Sequence, residues 1–417
     1  MTLIGSVKRP GKPSELFFGW RVVWAAFCVA TYGWGFGFYG PSVFLYALNA
    51  AHGWPVSVIS SAITAHYIAS ALLIAYLSNI HRRFGLVWTT RAGVVALALG
   101  ALAWSSADQP WQLFAAVPLT SIGWATMSGA AINAIVSPWF EERRAAALGH
   151  AYNGASFGGL ALAPLWMLLI HRRGIADATL VLVLPLFVLL WWLAGRYLAL
   201  TPADLGLGAD GKAPQPAERS QIAKADPIGR KALLRLPRFL TMSGAFALGL
   251  FAQVGLAAHL VTLLAPRIGE AGAALSLSTV TACGIGGRLI LGELIGDSNR
   301  RLVAAANLTL QAAGVAVLFF ADGWAMVGLG CVLFGMGFGN LVTLPPLVAQ
   351  AEFGRAQVPV VVALLTAINQ AVFAFAPGIF GVLHDATGSY ASPLAMAVAV
   401  ELGGAGLMLW GRRHREV

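Results

Sequence analysis

Arg288 sits near the middle of an apolar run, LSLSTVTACGIGGRLILGELIGD. A guanidinium cannot be neutralised at cellular pH, and burying one in hydrocarbon costs about 3 kcal/mol even on the lenient insertion scale. Such a residue is kept where it faces a wet cavity, pairs with an acid or meets an anion. It lies about 9 residues, or ~13 Å, from the nearer end of its run, a distance that snorkelling strains to cover. Its most useful chemistry is bidentate capture of a carboxylate; the alternative is a structural ion pair or a cap on helix carbonyls.

His259 lies about two turns from the end of the preceding run. Neutral, it could donate to a carboxylate; protonated, it would add charge near pH 6–7. A histidine bonded to a neighbouring helix is the plainer reading, as it is for His66 and His150. The stretch Thr31-Tyr32-Gly33-Trp34-Gly35-Phe36-Gly37-Phe38-Tyr39-Gly40-Pro41 alternates aromatics with glycines, which permit close approach and bending. Tyr32 and Tyr39 are seven apart and are expected on one helix face, lining a cavity or packing the bundle. Trp124, Asn153 and Asn369 are further candidates for contact with a substrate, although amides and hydroxyls also join membrane helices. Asn153 and Asn369 fall in corresponding helices of the two halves described below. Glu401 lies near the centre of the last apolar run and reads as a structural carboxyl, protonated or paired.

The elements that must position these residues follow from composition. The chain has 417 residues, 58% of them hydrophobic and only 11% charged, with a mean hydropathy of +0.74. Soluble domains carry about 25% charged residues, so lipid is the expected solvent. The net charge of +10 does not imply nucleic acid, because the cations sit in short loops and no nucleic-acid motif appears. Cys28, Cys283 and Cys331 lie within apolar runs without metal-like spacing. Glycines 284, 286 and 287 lie inside an apolar run rather than after a strand, and no P-loop is present. Neither an enzyme, a cofactor nor a nucleotide-driven pump is implied, and transport would draw on a gradient.

Runs long enough to span a bilayer number about twelve: 18–47, 56–79, 86–107, 111–138, 144–171, 176–199, 238–265, 272–296, 302–321, 323–350, 356–383 and 391–411. The first reads as an uncleaved transmembrane helix. The polar segment 200–237 is rich in Pro, Gly and charge and reads as a linker. It separates a bundle over 1–199 from a second over 238–417, six helices each. With both termini inside, Lys8, Arg9, Lys12, Arg82, Arg83, Arg143, Arg144, the linker, Arg300, Arg301, Arg355, Arg412, Arg413 and Arg415 all fall on the inner side. Only Arg172, Arg173 and Arg267 fall outside, so inner, cytoplasmic termini are expected. Glu293 and Asp297 are expected to gate the inner side with Arg82, Arg143, Arg144 and Arg300.

The halves echo one another. GWPVSVISSAITAHYIASALLIAYLSNIHRR and GEAGAALSLSTVTACGIGGRLILGELIGDSNRR both end in paired basic residues; PWFEERRAAALG and AEFGRAQVPVV both lead into a helix with a distal proline, Pro164 or Pro377. Parallel repeats suggest a transporter with its site between the halves. In this alignment Arg288 matches about Ala71, which makes the cation a specialisation of the second half.

This layout resembles the major facilitator superfamily. Gly19-Trp20-Arg21, Gly53-Trp54 with Ser60, Trp139-Phe140 with Arg143-Arg144, His259-Leu260, Gly287-Arg288-Leu289 and the run His384 to Tyr390 are similar to the monocarboxylate transporter and oxalate:formate antiporter branch. The resemblance spans nearly the whole chain. It implies an all-α membrane protein of two six-helix bundles that carries a small carboxylate by alternating access. The superfamily's Asp-Arg-x-Gly loop is replaced here by His81-Arg82-Arg83-Phe84-Gly85. The lysine that the oxalate branch places in the eleventh helix is absent, with Asn369 and Gln370 there instead, which favours a singly charged substrate. The first helix lacks an internal lysine and Gly284 is not an acid, so the proton-coupling pair of animal carriers is not seen; protons as co-substrate stay open. The expected protein is a monomer in the plasma or inner membrane. The alternatives are efflux of amphipathic compounds through an aromatic cavity, or a membrane sensor that binds without transporting.

Overall fold

The structure is a computed structural model that describes residues 17–212, 230–296, 298–354 and 357–413. Asp297, Arg355 and the linker residues 213–229 lie outside the described residues. Long apolar stretches that must satisfy their own backbone in lipid can do so only as helices or closed barrels, and here all are helical. Among the described residues, ten helices are long and apolar enough to cross a membrane. Two of them turn back on a glycine in the left-handed region, Gly85 (φ 75°) and Gly269 (φ 77°). A side chain there would be strained, so each of these long helices is a pair.

The spans are then α1 (Phe18–His52), α2 (56–84), α3 (86–105), α4 (Pro110–Trp139), α5 (Arg144–Arg173), α6 (Ile175–Tyr197), α7 (237–268), α8 (270–293), α9 (Arg300–Phe320), α10 (Trp324–Glu352), α11 (Val358–Thr387) and α12 (Ala391–Arg413). The α2 helix outruns its expected end at 79 because Asn79 to Phe84 contain no helix breaker, and Gly85 is the first residue to stop it. The turns at Gly85, 140–143 and Gly296 share one end of the molecule with the chain's first and last described residues. The turns at Gly53, Gly174, Gly269 and Gly388 occupy the far end.

Helices α2 and α3 pack on α4, α1 packs on α5, α10 packs on the α7–α8 pair, and α12 packs on α7 and α9. One apolar core runs from Val22 through Ala397 across both sets of helices. A second, around Phe239, Met242, Phe246, Leu308, Leu344 and Met408, fills the terminal end of α7, α9, α10 and α12.

Hydrogen bonds between the residues before 200 and those after 236 gather at the far end and the middle. The Ser57 N–H donates to Asp385 Oδ2 at 2.7 Å. The Gly378 N–H donates to Thr64 Oγ1 at 2.8 Å, and Tyr46 donates to Glu270 at 2.9 Å. Ser278 donates to the Leu160 carbonyl at 2.8 Å. The terminal end is instead knit within each set: Arg301, 1% exposed, binds Glu352 from two nitrogens at 2.6 and 2.8 Å, and also the Arg238 carbonyl and Thr241.

Candidate functional site

Helix α8 can hold Arg288 where it does because glycines line the seam with α10. A Cβ at Gly287 would run into the Met336 carbonyl, and one at Gly339 would meet Arg288 Cγ at 3.0 Å. The helices therefore touch closely, and the aliphatic stem of Arg288 rests on Gly339. Its guanidinium, half-buried, reaches across to α5 and donates from Nη2 to Ser156 Oγ at 2.6 Å. It also interacts electrostatically with the Tyr39 phenol of α1. No carboxylate among the described residues lies within ion-pair distance of it. Glu293 lies five residues on, roughly 140° around the helix at 3.6 residues per turn, and is exposed. The rest of the guanidinium fork is thus free for an anion.

Aromatic rings cluster on the far-end side of this cation. Phe38 meets Trp124 at 6.1 Å and Phe338 of α10 at 6.4 Å. Trp124 meets Trp34 at 4.9 Å, and Tyr67 meets Phe373 of α11 at 6.0 Å. Two of these contacts, Phe38–Phe338 and Tyr67–Phe373, join α1 and α2 to α10 and α11. The Trp124 Nε1–H is buried without a protein acceptor, leaving one donor among the rings.

The tyrosines of α1 do not share a face. Five residues, Gly35–Tyr39, form a π-helical segment between them. A π-bulge inserts about one residue into the ladder, a phase slip of about 100°. Tyr39 consequently faces Gly159 and Thr281 near Arg288. Tyr32, fully buried, turns away to bond the Val94 carbonyl of α3 at 3.4 Å. The carbonyls of the bulge are taken up by α2: His66 Nε2 bonds the Gly37 carbonyl at 3.2 Å and Tyr67 donates to that of Phe38 at 3.4 Å. A matching π segment, Gly158–Leu162, sits opposite in α5. A Cβ at Gly158 would meet the Gly35 nitrogen at 2.9 Å, so only glycine allows this approach.

His259 stands apart from Arg288. By helix rise it is about 13 Å nearer the far end. Both its nitrogens are committed: Nε2 donates to the Pro377 carbonyl at 2.9 Å, and Nδ1 shares a hydrogen bond with the Tyr390 hydroxyl at 3.1 Å. A carbonyl can only accept, so Nε2 carries a proton, and neither nitrogen is left over for a substrate. The Tyr390 ring packs at a tilt against that of His384, 4.4 Å between centroids, and His384 bonds Asp385 at 2.9 Å. His259 therefore belongs to a chain that ends on Ser57 of α2.

Asn369 is buried, its Oδ1 without a partner, and Asn153 is exposed on α5 one turn before Ser156. Three of the four expected gate cations make hydrogen bonds elsewhere. Arg82 bonds Asn79 at 2.7 Å, Arg144 bonds the Phe140 carbonyl at 3.0 Å, and Arg300 caps the Ile295 carbonyl at 2.7 Å. Of Arg143 it is the backbone N–H, not the guanidinium, that donates to Asp210, at 3.4 Å. Ser156 was not legible as a partner of Arg288: it is one serine among many in apolar runs, and only the crossing of α5 and α8 pairs the two. Arg301, beside the Arg300 singled out from sequence, is the buried cation of the pair.

The family model of the Major Facilitator Superfamily matches residues 25–377. Among solved structures the chain is similar to a bacterial homologue of the human lysosomal transporter Spinster, described as inward-facing and unoccupied. The identity is 14% and the TM-score 0.70, over 96% of this chain and 98% of that one. No curated protein matches the chain.

Proposed function

Because the chain belongs to the Major Facilitator Superfamily, and is thus a multi-pass membrane transporter, we propose that it carries small organic anions, monocarboxylates in particular, by alternating access. The observation that carries this reading is Arg288. It is a permanent cation in the middle of the bundle, held by a neutral serine rather than an acid, beside Tyr39 and beneath a ring cluster contributed by both sets of helices. A carboxylate bound to the guanidinium fork would neutralise it and accept from Tyr39. The rings would cover a short apolar tail. One fixed cation matches one negative charge.

We further propose the division into bundles over 1–199 and 238–417 joined by 200–237, with the termini cytoplasmic, and a monomer as the working unit. Inter-bundle bonds at the far end are what an inward-facing carrier requires. The gate of Arg82, Arg143, Arg144 and Arg300 against Glu293 and Asp297 would then form only when the terminal end closes. Asn153 and Asn369 would contact the substrate in that closed state. His259 serves the far-end closure in this reading, rather than the substrate.

The test is uptake of labelled monocarboxylates into proteoliposomes. Losing one charge-assisted pair costs about 2–4 kcal/mol, or ~30- to 1000-fold in affinity. Arg288→Gln should lose carboxylate binding to that extent, while a neutral amide analogue should bind both forms equally. Wild-type carboxylate uptake by Arg288→Gln would sink the proposal. Export of amphipathic compounds untouched by the same substitution would favour the efflux alternative.

A further inference from the structure

A groove of about 600 Å³ opens on the outside of the terminal end, away from Arg288. Its walls are the α2–α3 turn (Phe84 to Trp88), the last turns of α4 (Ala134 to Trp139) and the end of α6 running into the linker (Gly195 to Pro202). Arg91 lines it. That residue lies about two turns into α3 from Gly85, or ~9 Å, the depth of the headgroup region rather than the bilayer centre.

The groove is built around this arginine. The guanidinium lies 4.6 Å from the Trp191 ring and 5.4 Å from that of Trp88, and Nε donates to the Trp191 carbonyl at 3.3 Å. A Cβ at Gly195 would collide with its Nη2, so the glycine is the seat that admits the side chain. No carboxylate among the described residues lies within ion-pair distance of it. Arg83 stands beside the lining residue Phe84, 5.4 Å from its ring, and Arg196 follows Gly195, 5.6 Å from the Tyr197 ring. The acid at the rim, Asp204, is turned back onto the Thr201 N–H and hydroxyl. The surrounding surface is the apolar and aromatic face expected toward lipid: Trp88 is 62% exposed and Trp192 56%. Exposed tryptophans at this depth mark a membrane interface.

We infer that this groove is a binding site for an anionic phospholipid, its phosphate on Arg91 beside Trp88 and its acyl chains running from there toward the bilayer centre. A planar guanidinium held between rings, with unsatisfied N–H donors, suits a phosphate oxygen pair. The flanking cations complement a headgroup of net negative charge and give no advantage to a zwitterionic one. The groove is walled by α2, α3, α4, α6 and the first linker residues, so a bound lipid sits where the first set of helices runs into the linker.

The experiment is native mass spectrometry and thermal unfolding of the full chain in detergent, titrated with phosphatidylglycerol, with phosphatidylcholine of the same chains, and with inorganic phosphate. Phosphatidylglycerol should give one saturable adduct and raise the melting temperature; the other two should not. Arg91→Gln should weaken the adduct by about tenfold, as expected for one charged hydrogen-bonding partner. Ala134→Phe fills the groove without touching Arg91 and should do the same, which keeps the test decisive if the arginine variant unfolds. Arg172→Gln, at the far end, should change nothing. Equal binding of phosphatidylcholine, a shift by free phosphate, or an adduct that survives both groove variants would overturn the site.

Discussion

For a carrier that alternates between two open states, the far-end hydrogen bonds set their ratio, and Asp385 offers the cleanest perturbation. Its Oδ2 accepts the Ser57 N–H at 2.7 Å, at the first turn of α2, where backbone donors have no helical partner. The carboxylate thus caps a helix of the opposite bundle, and its side chain is 28% exposed. Removing a cap costs about 0.5–2 kcal/mol. The charge at a helix N-terminus contributes about 0.3–1 kcal/mol of that. Asp385→Ala should therefore shift the ratio toward far-end opening by about tenfold, and Asp385→Asn, which keeps an acceptor, by about two- to threefold. Ser60, buried beneath the same contact, is the reporter. In a chain with Cys28, Cys283 and Cys331 replaced, Ser60→Cys should react with an impermeant maleimide in proportion to the open population. Labelling in sealed vesicles would rise in the order parent, Asn, Ala. Unchanged labelling in Asp385→Ala, at an unchanged melting temperature, would refute the idea that this bond holds the far end shut.

Three further outcomes follow from the geometry. Tyr39→Phe should weaken carboxylate binding about fivefold, one hydrogen bond's worth, whereas Tyr32→Phe should leave transport intact; equal effects in a transport assay would contradict the phase slip at the π segment. Glu352→Gln leaves Arg301 buried beside a neutral partner, and breaking such a pair costs about 3–5 kcal/mol; thermal unfolding in detergent should show a large loss, larger than for any exposed arginine. Slight burial pushes the Asp210 carboxyl up, but the N–H groups of Glu142, Glu141 and Arg143 and the Lys212 ammonium outweigh it and hold it below the usual carboxylate range. A group with a depressed folded pKa stabilises above its unfolded value, near 4, and loses that contribution as pH falls through the folded one. Amide exchange at 141–143 should therefore accelerate, relative to Asp210→Asn, only below about pH 4.

The apolar composition and the spacing of the runs were enough to determine an all-helical membrane protein, because lipid leaves the backbone few other ways to satisfy itself. They also placed one cation, Arg288, deep in the bundle, since the cost of burying a charge in lipid is local and needs no neighbour to be recognised. Which groups surround that cation was a matter of three dimensions. Ser156 meets it because α5 crosses α8. Glu293 does not, because five residues along a helix is the wrong face. Tyr32 and Tyr39 look equivalent by heptad spacing, and a five-residue change in helical pitch sends one to the core and the other to the site. His259, plausible as a substrate ligand by type and depth, spends both nitrogens on α11 and the following turn. Residue type and depth are written along the chain; helix phase, crossing and partner are decided only when the helices pack.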